Sequence, residues 1–286
     1  MSAVMNSRSF RQILVTATQQ LAEVSASPRL DAELLLAAAL DRPRSYLHTW
    51  PERVLEPEPA ARFAAWLNRR GAGEPVAYLL GWREFWSLEL EVTPDTLIPR
   101  PETELLVELA LERLPPNQTV KVADLGTGSG AIALALAVER PQARIIATDQ
   151  SLAALTVARR NAQRLNLAQV EFRQGDWCNP LAGECFDLIV ANPPYVAVTD
   201  SRWQEGALCF EPSTALIAGE EGLDALRTII AAAPDYLEPG GWLLLEHGYD
   251  QGESVPELLR EQGFIEVSDH RDMAGLRRSS CGRWPG

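Results

Sequence analysis

Four consecutive residues near the middle of the chain could hold a planar nitrogen. Asn192, Pro193, Pro194 and Tyr195 follow the apolar run FDLIVA. An amide or exocyclic amine nitrogen is a poor nucleophile because its lone pair is delocalised, so it must be oriented and stabilised as it gains charge. The side-chain oxygen of Asn192 and the carbonyl of Pro193 can each accept one N–H of an NH₂ group, and Tyr195 can stack on that group. The segment predicts a reaction in which a planar NH₂ nitrogen is the nucleophile. Such a reaction requires no strong general base.

A glycine-rich turn, DLGTGSG, joins a predicted strand to a helix and indicates a ligand site. Glycine lets a backbone approach a ligand closely, and the first turn of the helix presents unpaired N–H groups. Asp149 ends the next predicted strand, 19 residues after Gly130, where a carboxylate can accept ribose hydroxyls. A dinucleotide site would place the third glycine one position later, so the turn and the preceding Asp124 instead resemble the S-adenosylmethionine-binding turn of Rossmann-like methyltransferases. The candidate cofactor residues of the turn are Gly126, Thr127, Gly128, Ser129 and Gly130.

Trp177 is a further candidate for the cofactor site. It belongs to the segment GDW after the third predicted strand, where an acid and an aromatic residue resemble those that hold and cover an adenine ring in this fold. Ordinary packing of an Asp-Trp pair is the alternative interpretation. For the glycine turn, the alternative is a tight strand–helix connection that binds nothing.

The elements that must position these residues alternate between strand and helix from residue 120 onward. The strand segments are VKVADL, ARIIATD, VEFRQGD, FDLIVANP, GGWLLLEHG and FIEVSD, and the segments between them have helical patterns. Such alternation predicts an α/β fold with a mainly parallel sheet covered on both faces. Since ligands of open α/β sheets bind at the carboxyl ends of the strands, the glycine turn and Asn192 should share one edge.

The chain before this region predicts a different organisation. Residues 1–74 predict a small helical domain whose helices are broken by several prolines. Residues 75–98 contain the alternating run EFWSLELEVTP and predict a β-hairpin linker. Residues 99–286 then form the predicted catalytic domain, which Pro101 opens as the first residue of a helix.

Composition narrows the function classes. The chain has 286 residues and a formal net charge of −13, although residues 1–74 carry nine Arg and eight acidic residues. So acidic a chain predicts no broad basic surface for direct nucleic-acid binding. The four cysteines (Cys178, Cys185, Cys209 and Cys281) lack the spacing of a metal site, so no metal is expected. The start of the chain lacks a signal-peptide pattern and the apolar runs are short, which predicts a cytoplasmic protein with no membrane partner.

Six segments together resemble the release-factor glutamine methyltransferase (PrmC/HemK) family. They are GEPVAYLLGWREFW, LIPRPETELLVE, DLGTGSG, NPPY, FEPSTALIAGEEGLDALR and LLLEHGYDQ. The resemblance implies a Rossmann-like class I S-adenosylmethionine-dependent methyltransferase domain, preceded by a small all-α domain that recognises the substrate. It also implies methyl transfer from S-adenosyl-L-methionine to N5 of the glutamine in the GGQ motif of class 1 peptide-chain release factors.

The same resemblance assigns roles to individual residues. The glycine turn, Asp149, Trp177 and Asn192 match the family's cofactor contacts, and Asn192 to Tyr195 match the segment that binds the substrate glutamine. Thr103 lies with Arg100 and Glu102 in the segment beside the methionine end of the cofactor. The resemblance implies catalytic roles for Asn192, Pro193 and Tyr195.

Three alternatives stay open from sequence. A glutamine methyltransferase acting on a ribosomal protein shares the NPPY motif, although IPRPETE favours the release-factor family. An adenine-N6 methyltransferase acting on nucleic acid also shares the motif, but the acidic composition argues against it. The last alternative is a non-catalytic cofactor-binding protein. Glu211 and Glu246 are interpreted as structural, and His247 as a packed or capping residue.

Overall fold

The computed structural model describes residues 8–204 and 206–286. Residues 1–7 of the predicted helical domain lie outside this range. The chain divides into two compact units, one formed by the residues up to Gly81 together with Gln204–Phe210 and the other by Trp82–Trp203 together with Glu211–Gly286. Within the described residues, no helix is both long and apolar enough to cross a membrane.

The first unit is helical, as predicted. Its helices begin where the sequence supplies start signals: Ser9 caps the first helix in a reciprocal arrangement with Gln12, and Pro28 and Pro57 stand in the first turns of later helices. A buried ion pair between Arg70 and Asp31, at 2.8 Å, joins two of these helices. The helices are α1 (Phe10–Leu21), α2 (Pro28–Leu40), α3 (Arg44–Thr49), α4 (Pro57–Gly71) and α5 (Val76–Leu80).

Helix α5 lies where the hairpin linker was expected to begin. It starts after Pro75 and ends at Gly81, which adopts a left-handed conformation with φ of 79°. The hairpin itself is shorter than residues 75–98 and consists of β1 (Trp82–Phe85) and β2 (Leu88–Glu91).

This hairpin is anchored in the second unit. Phe85 and Leu90 are buried in the core of that unit. The buried side chain of Asn161 forms hydrogen bonds with both backbone groups of Glu91, at 2.7 and 3.0 Å, and donates a third to the carbonyl of Ser129 at 2.9 Å. Asn161 therefore joins both the hairpin and the glycine turn to the helix in which it lies, Leu152–Arg164.

A seven-stranded sheet forms the centre of the second unit. Its strands are β3 (Lys121–Leu125), β4 (Arg144–Asp149), β5 (Val170–Gln174), β6 (Phe186–Ala191), β7 (Leu237–Glu246), β8 (Ile265–Arg271) and β9 (Arg277–Arg283). They lie side by side in the order β5-β4-β3-β6-β7-β9-β8. The first five strands of that order are parallel, and β9 runs antiparallel to both neighbours. The mainly parallel sheet is confirmed.

Helices cover both faces of the sheet, and this arrangement places the site. One face packs on α6 (Glu104–Arg113) and α7 (Ala131–Glu139), with Ala162 of α8 (Leu152–Arg164) beside them. The other packs on α9 (Asp224–Ala232) and α10 (Ser254–Glu261). From β3 the chain continues to β4 and β5 on one side of the sheet, and then to β6 and β7 on the other side. The strand order therefore has a switch point between β3 and β6, where a crevice is expected at the carboxyl ends of the strands.

Candidate active site

A cavity of about 300 Å³ lies at the carboxyl ends of the parallel strands. The predicted residues that line it come from four separate turns, which the sheet brings to one edge as expected. Sequence reasoning had not assigned the wall formed by Pro94–Leu97 or that formed by Pro212, Thr214 and Ala215. The predicted residues that line the cavity are Gly126, Gly128, Asp149, Trp177, Asn192 and Pro194.

The glycine turn has a backbone that only glycine adopts easily. Gly126, Gly128 and Gly130 have φ of 71°, 56° and 87°. A Cβ on Gly126 would also lie 3.2 Å from the ring of Trp177. The N–H groups of Gly126 and Thr127 both donate to the carbonyl of Thr148 at 2.9 Å, so the turn is tied to the end of β4.

Three residues of the predicted turn lie beneath the cavity surface. Thr127, Ser129 and Gly130 are buried and do not line the cavity. Thr127 donates through its hydroxyl to Asp124 at 2.6 Å, and Gly130 occupies the N-cap of α7. These three residues therefore support, from the side away from the cavity, the backbone of the turn that faces it.

Asp124 is a buried carboxyl group directly below the turn. Its Oδ2 accepts from Thr127 and from the backbone N–H of Ala133, whereas its Oδ1 has no hydrogen-bond partner among the described residues. Burial raises the pKa of Asp124 to about 7. Asp124 is 1% exposed and does not line the cavity, so it supports the turn from below through Thr127 and Ala133.

Asp149 lies at the end of β4 and faces the cavity. Its two oxygens accept from the N–H groups of Gly128 and Ser151, at 2.9 and 2.8 Å. Each carboxylate oxygen retains a second lone pair, so the group can also accept hydroxyl donors from a ligand. Burial raises the pKa of Asp149.

Trp177 forms another part of the cavity wall. Its φ is 43°, and its carbonyl accepts from the hydroxyl of Thr148 at 3.0 Å. The bond fixes the backbone in a conformation that large side chains rarely adopt. The half-buried indole stands over Gly126, where it could cover a flat ring.

Asn192 leaves the end of β6 and faces the cavity, and a hydrogen-bonded chain holds its side chain. Its Nδ2 donates to Thr103 Oγ1 at 3.0 Å, and Thr103 Oγ1 donates to Glu246 Oε2 at 2.6 Å. Tyr195 donates its hydroxyl to the second oxygen of Glu246 at 3.1 Å. Thr103 is buried and does not line the cavity, so it contacts the site through Asn192.

The other residues of the NPPY segment separate into two groups. Pro194 lines the cavity, whereas Pro193 is buried. The Tyr195 ring packs against the apolar core of one sheet face, and the structure places it outside the cavity lining. Burial raises the pKa of Tyr195, with the negative charge of Glu246 adding to the effect.

Sequence reasoning missed the partners that hold the segments around the cavity. Glu211 accepts from Arg100 and from the backbone N–H of Ile98, the latter at 3.0 Å. Gln251 donates to the carbonyls of Tyr195 and Gly222, at 3.2 and 3.1 Å. Long-range pairing of this kind leaves no local pattern, and only the appearance of these residues within the family segments could have signalled it.

His247 is packed, as interpreted from sequence. Nδ1 lies 2.9 Å from the carbonyl oxygen of Gly248 and Nε2 lies 2.8 Å from Ser280 Oγ. Burial lowers the pKa of His247, and its ring is fully buried. The residue does not line the cavity.

The site suits a ligand that combines hydroxyl groups, a flat ring and positive charge. Asp149 offers acceptors for hydroxyls, and Trp177 offers a flat apolar surface. Asp95, Asp149 and Asp176 line the cavity and give it a negative potential. Next to these groups, the side-chain oxygen of Asn192 could accept an N–H of an NH₂ group.

Comparisons with known proteins agree with this geometry. Residues 12–81 match the family described as the PrmC N-terminal domain, and residues 103–208 match the family described as the methyltransferase small domain. The chain is 52% identical over 274 residues to the release factor glutamine methyltransferase of Xylella fastidiosa (96% of this chain and 98% of the relative). It is 55% identical over 260 residues to the protein of the same name from Pseudomonas aeruginosa (91% and 94%).

A solved structure supports the fold. A methyltransferase from Pyrococcus furiosus superposes with a TM-score of 0.53 at 20% identity, over 78% of this chain and 98% of that chain. Together with the family matches, this likeness confirms the predicted Rossmann-like class I methyltransferase fold and, with it, S-adenosyl-L-methionine as the cofactor. Because about half of its residues are identical to those of these relatives over nearly its whole length, the chain belongs to the release factor glutamine methyltransferase family.

Proposed function

We propose that this protein methylates N5 of the glutamine in the GGQ motif of class 1 peptide-chain release factors. The observation that carries the proposal is the position of Asn192, which faces the same cavity as Gly126, Gly128, Asp149 and Trp177. An acceptor for a planar NH₂ group thus stands next to a site suited to S-adenosylmethionine, and the carbonyl of the buried Pro193 is proposed as the second acceptor. Family membership selects glutamine among the planar NH₂ groups that such a pair could hold.

We propose roles for the cofactor residues from their places in and around the cavity. Asp149 would accept the ribose hydroxyls, Trp177 would cover the adenine, and the segment from Gly126 to Gly130 would bring its backbone close to the ligand. Thr103 would act from behind Asn192. S-adenosylmethionine supplies an electrophilic methyl group when bound.

Asn192 and Pro193 would then act on the substrate amide. The Asn192 side-chain oxygen and the Pro193 carbonyl each accept one N–H, which turns the nitrogen lone pair toward the methyl group. As the nitrogen gains charge, both hydrogen bonds strengthen, so they stabilise the transition state more than the ground state. The bond from the methyl group to the sulfonium sulfur would break as the N–C bond forms, and the nitrogen, then acidic, would release one proton to water. Tyr195 would act indirectly, because its hydroxyl donates to Glu246 and its ring lies outside the cavity lining.

The helical unit is proposed to recognise the release factor, since it matches the family's N-terminal domain. The reaction would take place in the cytoplasm on a protein substrate, without direct contact to nucleic acid or a membrane. The net charge of −13 supports this choice because a nucleic-acid substrate would require clustered basic residues.

Labelled methyl transfer tests the proposal. The protein is incubated with methyl-labelled S-adenosylmethionine and a release factor, its Gln→Ala variant in the GGQ motif, ribosomal proteins, or RNA and DNA. We expect label on the unaltered release factor only. Label on a ribosomal protein or on nucleic acid alone, or equal label on both release factors, would contradict the proposal.

A further inference from the structure

The carboxyl group of Glu246 has no role in the reaction described above, yet Thr103 links it to Asn192 through two hydrogen bonds. Its side chain is 1% exposed and accepts hydrogen bonds from Thr103 and Tyr195. We propose that Glu246, acting through Thr103, is a positioning residue that fixes the Asn192 amide with its oxygen toward the cavity. The inference rests on the proposed function, because only a substrate NH₂ group requires that orientation.

The directions of the hydrogen bonds determine how the Asn192 amide is oriented. An ionised carboxylate can only accept, so the single hydroxyl hydrogen of Thr103 points to Glu246 Oε2, at 2.6 Å. The hydroxyl oxygen of Thr103 can then only accept, and the group of Asn192 that faces it must be the NH₂. This agrees with the 3.0 Å contact from Nδ2. The amide oxygen of Asn192 is thereby left for the substrate.

The opposite amide orientation would have two costs. It would place the Asn192 oxygen against a Thr103 oxygen that has no hydrogen to give, and it would turn an NH₂ group toward the substrate NH₂. Neither contact is a hydrogen bond. Both oxygens of Glu246 are required, since Tyr195 occupies Oε1 at 3.1 Å.

The protonation state of Glu246 sets these directions. The surrounding groups are Thr103 and Tyr195 as donors, Arg278 on β9, which favours the ionised form, and Glu102, which opposes it. Desolvation outweighs the rest and raises the pKa of Glu246 to about 7. A protonated carboxyl would donate one hydrogen bond itself, which frees the Thr103 hydroxyl to donate to Asn192 and permits the amide to turn.

Two pairs of substitutions test the proposal. Thr103→Val keeps the shape of the side chain but removes the hydroxyl, and Thr103→Ser keeps the hydroxyl. We expect Thr103→Val to lower kcat on release factor roughly tenfold or more, with cofactor affinity measured by calorimetry changed by less than about threefold. Thr103→Ser should recover most of the loss. Equal losses in both variants, or an unchanged kcat in Thr103→Val, would overturn the proposal.

The second pair compares Glu246→Gln in the unaltered chain with Glu246→Gln in a Tyr195→Phe background. Glutamine has one acceptor oxygen for the two donors, so Thr103 and Tyr195 compete for it. In a Tyr195→Phe background the competition disappears, and Glu246→Gln should lower kcat by a smaller factor than it does in the unaltered chain. The pH dependence of kcat should follow the same logic: kcat rises as Glu246 ionises, and Glu246→Gln removes that step. Additive effects together with an unchanged pH profile would contradict the role.

Nuclear magnetic resonance separates this inference from the proposed function. The Asn192 side-chain NH₂ signals, assigned by their loss in Asn192→Asp, should exchange slowly with water in the unaltered protein and faster in Thr103→Val. This measurement needs no substrate. If the protein fails to methylate the GGQ glutamine but the signals behave as expected, the proposed function fails while the orientation of Asn192 stands; equal exchange in both proteins overturns the orientation itself.

Discussion

Arg100 and Glu211 form an ion pair across 111 positions of sequence, and the Glu211 side chain is fully buried. Glu211 also accepts from the backbone N–H of Ile98 at 3.0 Å. The two segments that meet here carry Leu97 on one side and Pro212, Thr214 and Ala215 on the other, all of which line the cavity. The pair therefore holds two walls of the cavity together.

Removal of this carboxylate is expected to loosen both walls. Glu211→Ala leaves the N–H of the buried Ile98 without an acceptor and Arg100, whose side chain is 32% exposed, without its partner, so it should cost about 1–3 kcal/mol of the free energy of unfolding. We also expect weaker cofactor binding. Glu89→Ala is the matched control, because Glu89 pairs with Arg164 on the surface, where both side chains are about half exposed. The control should change the free energy of unfolding by less than about 1 kcal/mol, and equal losses in denaturant unfolding would refute the special role of Glu211.

Gly126 is expected to tolerate no side chain. Its φ of 71° disfavours other residues, and a Cβ would lie 3.2 Å from the Trp177 ring. Gly126→Ala should therefore lower cofactor affinity by roughly tenfold or more, since it disturbs both the backbone and the indole that would cover the adenine.

Gly183→Ala is the control for backbone strain alone. Gly183 has φ of 83°, and no atom lies within 4 Å of a Cβ placed there. Both variants should lose stability by about 1 kcal/mol, but only Gly126→Ala should bind the cofactor more weakly in calorimetry. Similar affinities in the two variants would remove Gly126 from the site.

Asn192→Ala separates binding from chemistry. The substitution removes one acceptor for the substrate NH₂, so it should cost on the order of 2–4 kcal/mol of transition-state stabilisation while most cofactor affinity remains. Calorimetry and single-turnover rates measure the two quantities. An unchanged single-turnover rate would exclude Asn192 from the catalytic role.

The stability of the protein should depend on pH through Glu246. Burial raises the pKa of its carboxyl from an ordinary value of 4.5 to about 7. A group whose pKa is raised on folding contributes stability that is fully present below the unfolded pKa and is lost as the pH rises through the folded one. The stability of the unaltered protein relative to Glu246→Gln should therefore fall by about 3 kcal/mol between pH 4.5 and pH 8.

Denaturant unfolding of both proteins across this pH range measures the difference. Asp124 has a similarly raised pKa but is present in both, so its contribution cancels. A difference that is the same at both ends of the range would show that Glu246 does not titrate as described.

Much of the fold and part of the site could be predicted from sequence because those signals are local. Strand–helix alternation predicted the parallel sheet, and strand ends at Gly126, Asp149 and Asn192 predicted one shared edge. Strand β9 had no such signal, since its sequence RRSSCGR lacks apolar alternation even though Ser279 and Ser280 are buried.

The supporting contacts could not be predicted because they join distant segments. Thr103 and Glu246 are 143 positions apart, and Glu246 was interpreted as merely structural. A pairing between the start of a helix at Thr103 and the end of a strand at Glu246 leaves no pattern in either segment. The placement of Tyr195 against the core likewise follows from its bond to Glu246 and not from the NPPY motif.

Peptide mass spectrometry of the release factor tests the central claim most directly. After incubation with the protein and S-adenosylmethionine, the peptide that carries GGQ is fragmented to locate any added methyl group. We expect one methyl group on the side chain of that glutamine, and none when Asn192→Ala replaces the unaltered protein in a single turnover of matched duration. A methyl group at any other residue, or an unmodified GGQ peptide after complete incubation, would contradict it.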